Sequence, residues 1–101
     1  MKDLGPRNIL RIPLQLLWEF PNMRQKIQVD ALELEQEFIA WYAQYEPEVQ
    51  HMLYQQISLA ILDSNYDYTQ VLKNVKCSNE DILFYFRFLR DVIKKNFQTA
   101  A

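Results

Sequence analysis

The residue in this sequence best suited to acid–base chemistry is its single histidine, His51. On a helix His51 would lie one turn from Glu48 and from Gln55, and a histidine beside a carboxylate can act as a general base. No partner nucleophile stands at helical spacing from His51, and a histidine metal site would need a second histidine, which the sequence lacks. We therefore interpret His51 as a solvated or boundary side chain and predict no catalytic residue.

The one cysteine, Cys77, stands just before the segment Ser78-Asn79-Glu80-Asp81, which resembles a helix start. A thiol at a helix N-terminus can have a lowered pKa and become reactive. Cys77 lies one residue ahead of the expected cap, so this geometry is loose, and a lone cysteine more often packs as a small hydrophobe. Because a single cysteine cannot form an internal disulfide, we expect a cytoplasmic protein.

The acidic residues could offer oxygen ligands to a hard metal ion. The candidates are Glu33, Glu35, Glu37, Glu46, Glu48 and Asp63. Di-iron sites in helical bundles use two Glu-x-x-His motifs, and Glu48 with His51 supplies only one. The sequence has no Asp-rich calcium loop, and its single glycine, Gly5, argues against a phosphate-binding loop. We predict neither a metal nor a cofactor.

Basic residues in the C-terminal third raise the alternative of nucleic-acid binding. They are Lys73, Lys76, Arg87, Arg90 and Lys94, and together they could contact phosphates. Their segment resembles a helix-turn-helix in outline, but Glu80 and Asp81 in the first turn of its second helix would repel a phosphate backbone. The isoelectric point near 5.3 also disfavours this function. A nucleic-acid-associated regulator is therefore the second hypothesis.

Helices must position these residues, because apolar side chains recur every three or four positions along most of the chain. The clearest stripe predicts a helix over residues 23–45 and consists of Ile27, Ala31, Leu34, Phe38, Trp41 and Tyr45. Pro47 suits the first turn of a second helix over 47–63. Asp67 can cap a short helix over 68–76, and Ser78 begins a last helix over 79–97.

Two conformations stay open for residues 1–22, which are predicted to form either an N-terminal arm or a short helix. Pro13 suits the first turn of a helix, and Pro21 would close it. The apolar run over residues 9–20 contains Arg11 and Glu19, which disfavours both a signal peptide and a membrane span.

The chain has 101 residues, half of them hydrophobic, which predicts one domain over residues 1–101. The predicted fold class is all-α, a compact bundle of four to five helices with short connections. The expected core residues are Leu34, Phe38, Trp41, Leu53, Ile57, Phe86, Leu89 and Ile93.

Charge is divided into three blocks along the sequence. Residues 1–26 hold five basic and two acidic residues, residues 27–72 hold eight acidic residues and no Lys or Arg, and residues 73–101 hold six basic and three acidic residues. One interpretation is that the basic ends pack against the acidic middle, where exposed ion pairs contribute about 0–1 kcal/mol each. The other is an acidic surface that docks on a basic partner.

The last predicted helix carries five consecutive apolar residues, 82–86, so its apolar surface extends almost all round. Phe84 falls on the same side as Arg87 and Asp91, where an exposed ring would mark a partner surface or a dimer seam. Alternatively, the N-terminal arm with Trp18 and Phe20 covers it.

These patterns favour a small non-enzymatic protein-binding or regulatory adaptor protein that acts through helix-surface contacts. The predicted apolar anchors are Phe84, Tyr85 and Phe88, with Glu33 and Glu37 as an acidic rim. The expected partner is another protein with a basic surface, or a second copy of this chain in a homodimer. We expect no membrane contact.

Replacing Phe86 with Ala tests the predicted core. Loss of a buried aromatic ring should lower the free energy of unfolding by about 3–5 kcal/mol. Urea denaturation followed by circular dichroism measures the change, and a loss below about 1 kcal/mol would contradict a core position for Phe86.

Overall fold

The computed structural model describes residues Gly5 to Phe97, and within them the chain forms only helices and turns, which confirms the predicted all-α fold. The elements are a 3₁₀ helix Gly5–Leu10, α1 Arg11–Leu14, α2 Leu16–Glu19, α3 Met23–Ala43, α4 Pro47–Leu62, a second 3₁₀ helix Tyr68–Gln70 and α5 Asn79–Asn96. None of these helices is both long enough and apolar enough to span a membrane.

The central element is α5, because both α3 and α4 pack against it. Its buried side chains are Ile82, Leu83, Tyr85, Phe86, Leu89, Val92 and Ile93. A helix that must meet neighbours on two sides needs a wide apolar surface, and this explains the consecutive apolar residues at its start. Ser78 caps the helix as predicted, since its Oγ accepts a hydrogen bond from the Asp81 amide at 3.1 Å.

The buried face of α3 differs from the predicted stripe. Leu34, Phe38 and Tyr42 are buried at spacings of four, whereas Trp41 is half-buried and Ala31 is exposed. Two features favour Tyr42 over Trp41. The Tyr42 ring packs edge-on against Phe97, with ring centroids 4.7 Å apart. Its hydroxyl also donates a hydrogen bond to the Gln50 carbonyl in α4, and burial raises the pKa of Tyr42 to about 12.

The backbone of α3 bends at Asp30, where φ is −122° and ψ is 39°. These angles are not helical, so the helix is locally interrupted at this residue. Ile27 before the bend and Leu34 after it are nevertheless both buried, so the core face continues across it.

The N-terminal segment consists of short helical turns rather than an extended arm. It packs against the bundle through the buried side chains of Leu10, Leu14 and Leu17, and hydrogen bonds to distant residues add to this contact. The Tyr85 hydroxyl in α5 donates to the Pro13 carbonyl at 2.7 Å in a buried site, and Arg11 Nε donates to the Val71 carbonyl at 2.9 Å. Pro13 and Tyr85 are 72 residues apart in sequence, so their hydrogen bond connects the N-terminal segment with the C-terminal helix α5.

The helix predicted over 68–76 is wrong beyond its first turn. The 3₁₀ helix ends at Gln70, and turns follow to Ser78, with Asn74 in the left-handed region at φ 67°. Asp67 does cap the segment, since its Oδ1 accepts from the Thr69 amide at 3.1 Å. Tertiary contacts override the helical preference here: the Tyr68 amide donates to Asn79 Oδ1 at 2.7 Å, and the Tyr68 hydroxyl lies 3.0 Å from the Asp63 carbonyl.

Replacing Tyr85 with Phe tests the tie between α5 and the N-terminal segment. The buried Pro13 carbonyl would lose its donor, so the free energy of unfolding should fall by about 1–3 kcal/mol. Urea denaturation at unchanged slope measures the loss. Tyr45→Phe is the control, because the Tyr45 hydroxyl forms no hydrogen bond within the described part of the chain, whereas that of Tyr85 does. Equal effects of the two substitutions would contradict this role.

Candidate binding surface

Tyr85 was predicted as a surface anchor, and this is wrong. Its side chain is 0% exposed and packs edge-on against Phe38, with centroids 5.9 Å apart. Burial raises the pKa of Tyr85 well above its usual range. Tyr85 is buried because α5 lies between α3 and α4, so this position of α5 does not face solvent.

Phe84 and Phe88 are half-buried on the side of α5 that faces α3. The Arg24 guanidinium covers Phe84, with its Cζ 4.8 Å from the ring centroid. Arg24 is itself held by Asp81 at 3.0 Å. Phe88 packs edge-on against Phe38, with centroids 5.7 Å apart. Both rings are therefore already engaged within the chain, and the residue that covers Phe84 is Arg24 rather than Trp18 or Phe20.

Glu33 and Glu37 are exposed on α3, but they lie away from the aromatic pair. The position of Glu35 between them shows which way this part of α3 faces. Glu35 points toward α5, because its carboxylate lies 3.3 Å from Lys95 Nζ and 3.2 Å from Asn96 Nδ2. The hydrogen bonds from Asn96 and Lys95 lower the pKa of Glu35. Residues two positions away lie about 160° around the helix from Glu35. The structure therefore does not bring the predicted rim and the predicted anchors into one site.

The basic residues of the alternative hypothesis share their surface with acidic ones. Lys73 and Lys76 are exposed in the turns before α5, and Arg87 and Lys94 are exposed on α5. Arg90 is half-buried, and its Nη2 lies 3.1 Å from the Asp91 carboxylate. Asp91 stands one turn from both Arg87 and Lys94 on the same exposed face. This mixture of signs reduces the positive potential that phosphate binding requires.

Neither Cys77 nor His51 lies in an environment that would activate it for catalysis. Cys77 is buried, with its Sγ 3.4 Å from the Pro21 carbonyl, and burial together with the nearby Asp81 charge raises its pKa. This is opposite to the lowered pKa that a helix start can give. His51 is exposed on α4. Among residues 5–97 no three His, Cys, Asp or Glu side chains come together as a metal site would require.

The surface that sequence reasoning missed is the outer face of α4. Residues 48, 52, 55, 59 and 62 are spaced by 4, 3, 4 and 3 and therefore follow one line along the helix; all five are exposed. We call this row, Glu48, Met52, Gln55, Leu59 and Leu62, the α4 stripe. Its apolar members are 45%, 49% and 82% exposed, in chain order. Leu53, Ile57 and Ala60 lie on the opposite side of α4, which faces the core.

A groove of about 450 Å³ runs beside the C-terminal half of this stripe. It lies between the first 3₁₀ helix and α4, and its lining residues are Arg7, Leu10, Gln56, Leu59, Ala60, Leu62 and Asp63. Arg7 stands at one edge, where its guanidinium lies 2.8 Å from the Asp63 carboxylate and 4.0 Å from the centre of the Tyr66 ring. Leu59 and Leu62 belong to both the stripe and the groove, so the two form one continuous surface.

The acidic middle of the chain is only partly neutralised from within. Of the eight acidic residues in 27–72, Glu35 and Asp63 form ion pairs, with Lys95 and Arg7. The other six form no ion pair with any residue in the described part of the chain; they are Asp30, Glu33, Glu37, Glu46, Glu48 and Asp67. Ion pairs with the basic ends of the chain therefore neutralise two of the eight acidic residues in the middle segment.

Comparisons of this chain with protein-family models, with curated proteins and with solved structures find no match.

The state of Cys77 can be measured with a thiol reagent such as dithionitrobenzoate. Because the thiol is buried and its pKa is raised, we expect the folded protein to react at least about tenfold more slowly than the urea-unfolded protein at the same pH. Cys77→Ser gives the blank. Equal rates in the two states would contradict the buried position.

Proposed function

We propose that this protein is a small non-enzymatic adaptor or regulatory protein that binds another protein through the α4 stripe and its groove. The observation that carries the proposal is Leu62, which is 82% exposed at the end of an apolar row that borders a groove. A single exposed leucine is ordinary on a protein surface, whereas apolar residues aligned beside a groove are typical of a contact site.

The energetics support binding at this place. Full burial of a leucine or methionine side chain contributes about 1.5–3 kcal/mol relative to leaving it in water. Met52, Leu59 and Leu62 all keep much of that surface exposed. The groove floor offers Leu10 and Ala60 as apolar contacts for a side chain inserted from a partner, which is how anchors at the centre of interfaces are usually held.

A second exposed apolar pair lies on α3 but has a more polar setting. Val29 and Leu32 are exposed there, and the hollow beside Val29 is lined mainly by polar residues, among them Gln25, Lys26 and Asp30. A partner docking there would have to desolvate polar groups, which costs free energy unless each finds a new hydrogen bond. This contrast favours α4 over α3.

The proposal of a non-enzymatic role is supported by the positions of the reactive side chains. His51 faces solvent on α4, and the Cys77 thiol is buried with a raised pKa. Neither position provides the activated base or nucleophile that catalysis needs. A cytoplasmic location remains part of the same proposal.

Leu62→Asp tests the contact surface, with Leu32→Asp as its matched control. The two leucines are 82% and 80% exposed, so each variant should keep its urea midpoint and add the same negative charge. We expect a partner captured from extract of the source cells by the wild-type protein to be lost with Leu62→Asp and retained with Leu32→Asp, because only residue 62 lies beside the groove.

Light scattering of the same variants distinguishes the kind of partner. A wild-type dimer that becomes monomeric with Leu62→Asp would identify a second copy of this chain as the partner. Retention of every captured protein by Leu62→Asp, or equal loss with Leu32→Asp, would contradict the assignment to α4.

A further inference from the structure

Resting on the proposed function, we infer that the partner presents a cationic amphipathic α-helix to the α4 stripe. Its apolar side would cover Met52, Leu59 and Leu62, and its Lys or Arg side chains would meet the carboxylates of Glu46 and Glu48 at the start of α4.

The charge of the surroundings favours a cationic partner. Residues 27–72 contain no Lys or Arg, so α4 and the turns on both sides of it add no positive charge. Glu46 and Glu48 are exposed at the start of α4 and form no ion pair within the described chain. A basic ligand gains attraction from these carboxylates, whereas an acidic ligand would be repelled.

Arg7 shows how a cation is held at this surface. Its guanidinium stands at the groove edge, bonded to Asp63 and stacked over Tyr66, with Leu10 and Leu59 beside it in the groove wall. A positive side chain is thus bound at the C-terminal end of α4, where the helix dipole also favours positive charge. At the other end of the stripe the Glu48 carboxylate is exposed, and it would pair directly with a partner's Lys or Arg.

The shape of the surface favours a helix as the binding element. The stripe covers residues 48–62 at spacings of 4 and 3, about 21 Å along the helix, and its apolar members, Met52, Leu59 and Leu62, span about 15 Å of that length. A second helix with its own apolar stripe packs along such a row over its full length. A second copy of this chain fits less well, because pairing α4 with α4 would bring two acidic segments together.

Two synthetic helical peptides test this inference against the full-length protein. Both have 16 residues, the length of α4, blocked ends and leucine at the same apolar positions; one carries Lys and the other Glu at the remaining positions. We expect fluorescence anisotropy to show at least about tenfold tighter binding of the Lys peptide. Raising NaCl from about 50 to about 300 mM should weaken that binding about fivefold or more.

Variants locate the binding. Leu62→Gln should weaken the Lys peptide about tenfold by removing an apolar contact without a change of charge, whereas Leu32→Gln, the same change at a similarly exposed leucine, should leave it unchanged. Glu48→Lys should weaken the Lys peptide at least about threefold. Its control is Glu19→Lys, the same change at an exposed residue on α2, and it should leave binding unchanged.

The outcomes separate this inference from the proposed function. Equal binding of both peptides with dependence on Leu62 would overturn the cationic partner and leave the contact surface in place. Lys-peptide binding that is unchanged by Leu62→Gln, or that falls equally with Glu48→Lys and Glu19→Lys, would overturn the inference as non-specific attraction. If neither peptide binds, the inference is wrong, and the Leu62-dependent capture from extract decides the proposed function by itself.

Discussion

Burial of α5 between α3 and α4 determines where the other helices of the bundle lie. Seven of its side chains are buried, and they include Tyr85, which also holds the Pro13 carbonyl of the N-terminal segment. Since both long helices pack on α5, each places one apolar face there and leaves its opposite face to solvent. The positions of the first turns, the groove and the exposed leucines all follow from this arrangement.

The surface of α4 is a consequence of that packing. Leu53, Ile57 and Ala60 face the core, so Met52, Leu59 and Leu62 must point outward from the same helix. The N-terminal 3₁₀ helix then forms the second wall of the groove, held in place through Arg7 and Asp63. The candidate binding surface therefore combines residues from parts of the chain that are about 50 positions apart in sequence, which only long-range packing brings together.

The ion pairs show how far the three charge blocks of the sequence neutralise one another. Acidic residues in the middle of the chain could have been neutralised by the two basic ends, yet only Glu35 and Asp63 are paired in this way within the described residues. Arg24 instead pairs with Glu80 and Asp81, at the start of α5. Exposed carboxylates contribute little to folding stability, whereas their field acts over about 8–10 Å and influences which molecules approach.

The helical fold, the cap at Ser78, the start of α4 at Pro47 and seven of the eight expected core residues could be predicted from the sequence, because apolar periodicity and capping are local properties of the chain. Which side of each helix is buried depends on tertiary packing. This packing buries Tyr42 more fully than Trp41, buries Tyr85, and ends the short helix at Gln70. In each case a helix had more apolar residues than one face can bury, or a distant hydrogen bond outweighed local preference, and contacts of this kind depend on how the elements pack rather than on spacing.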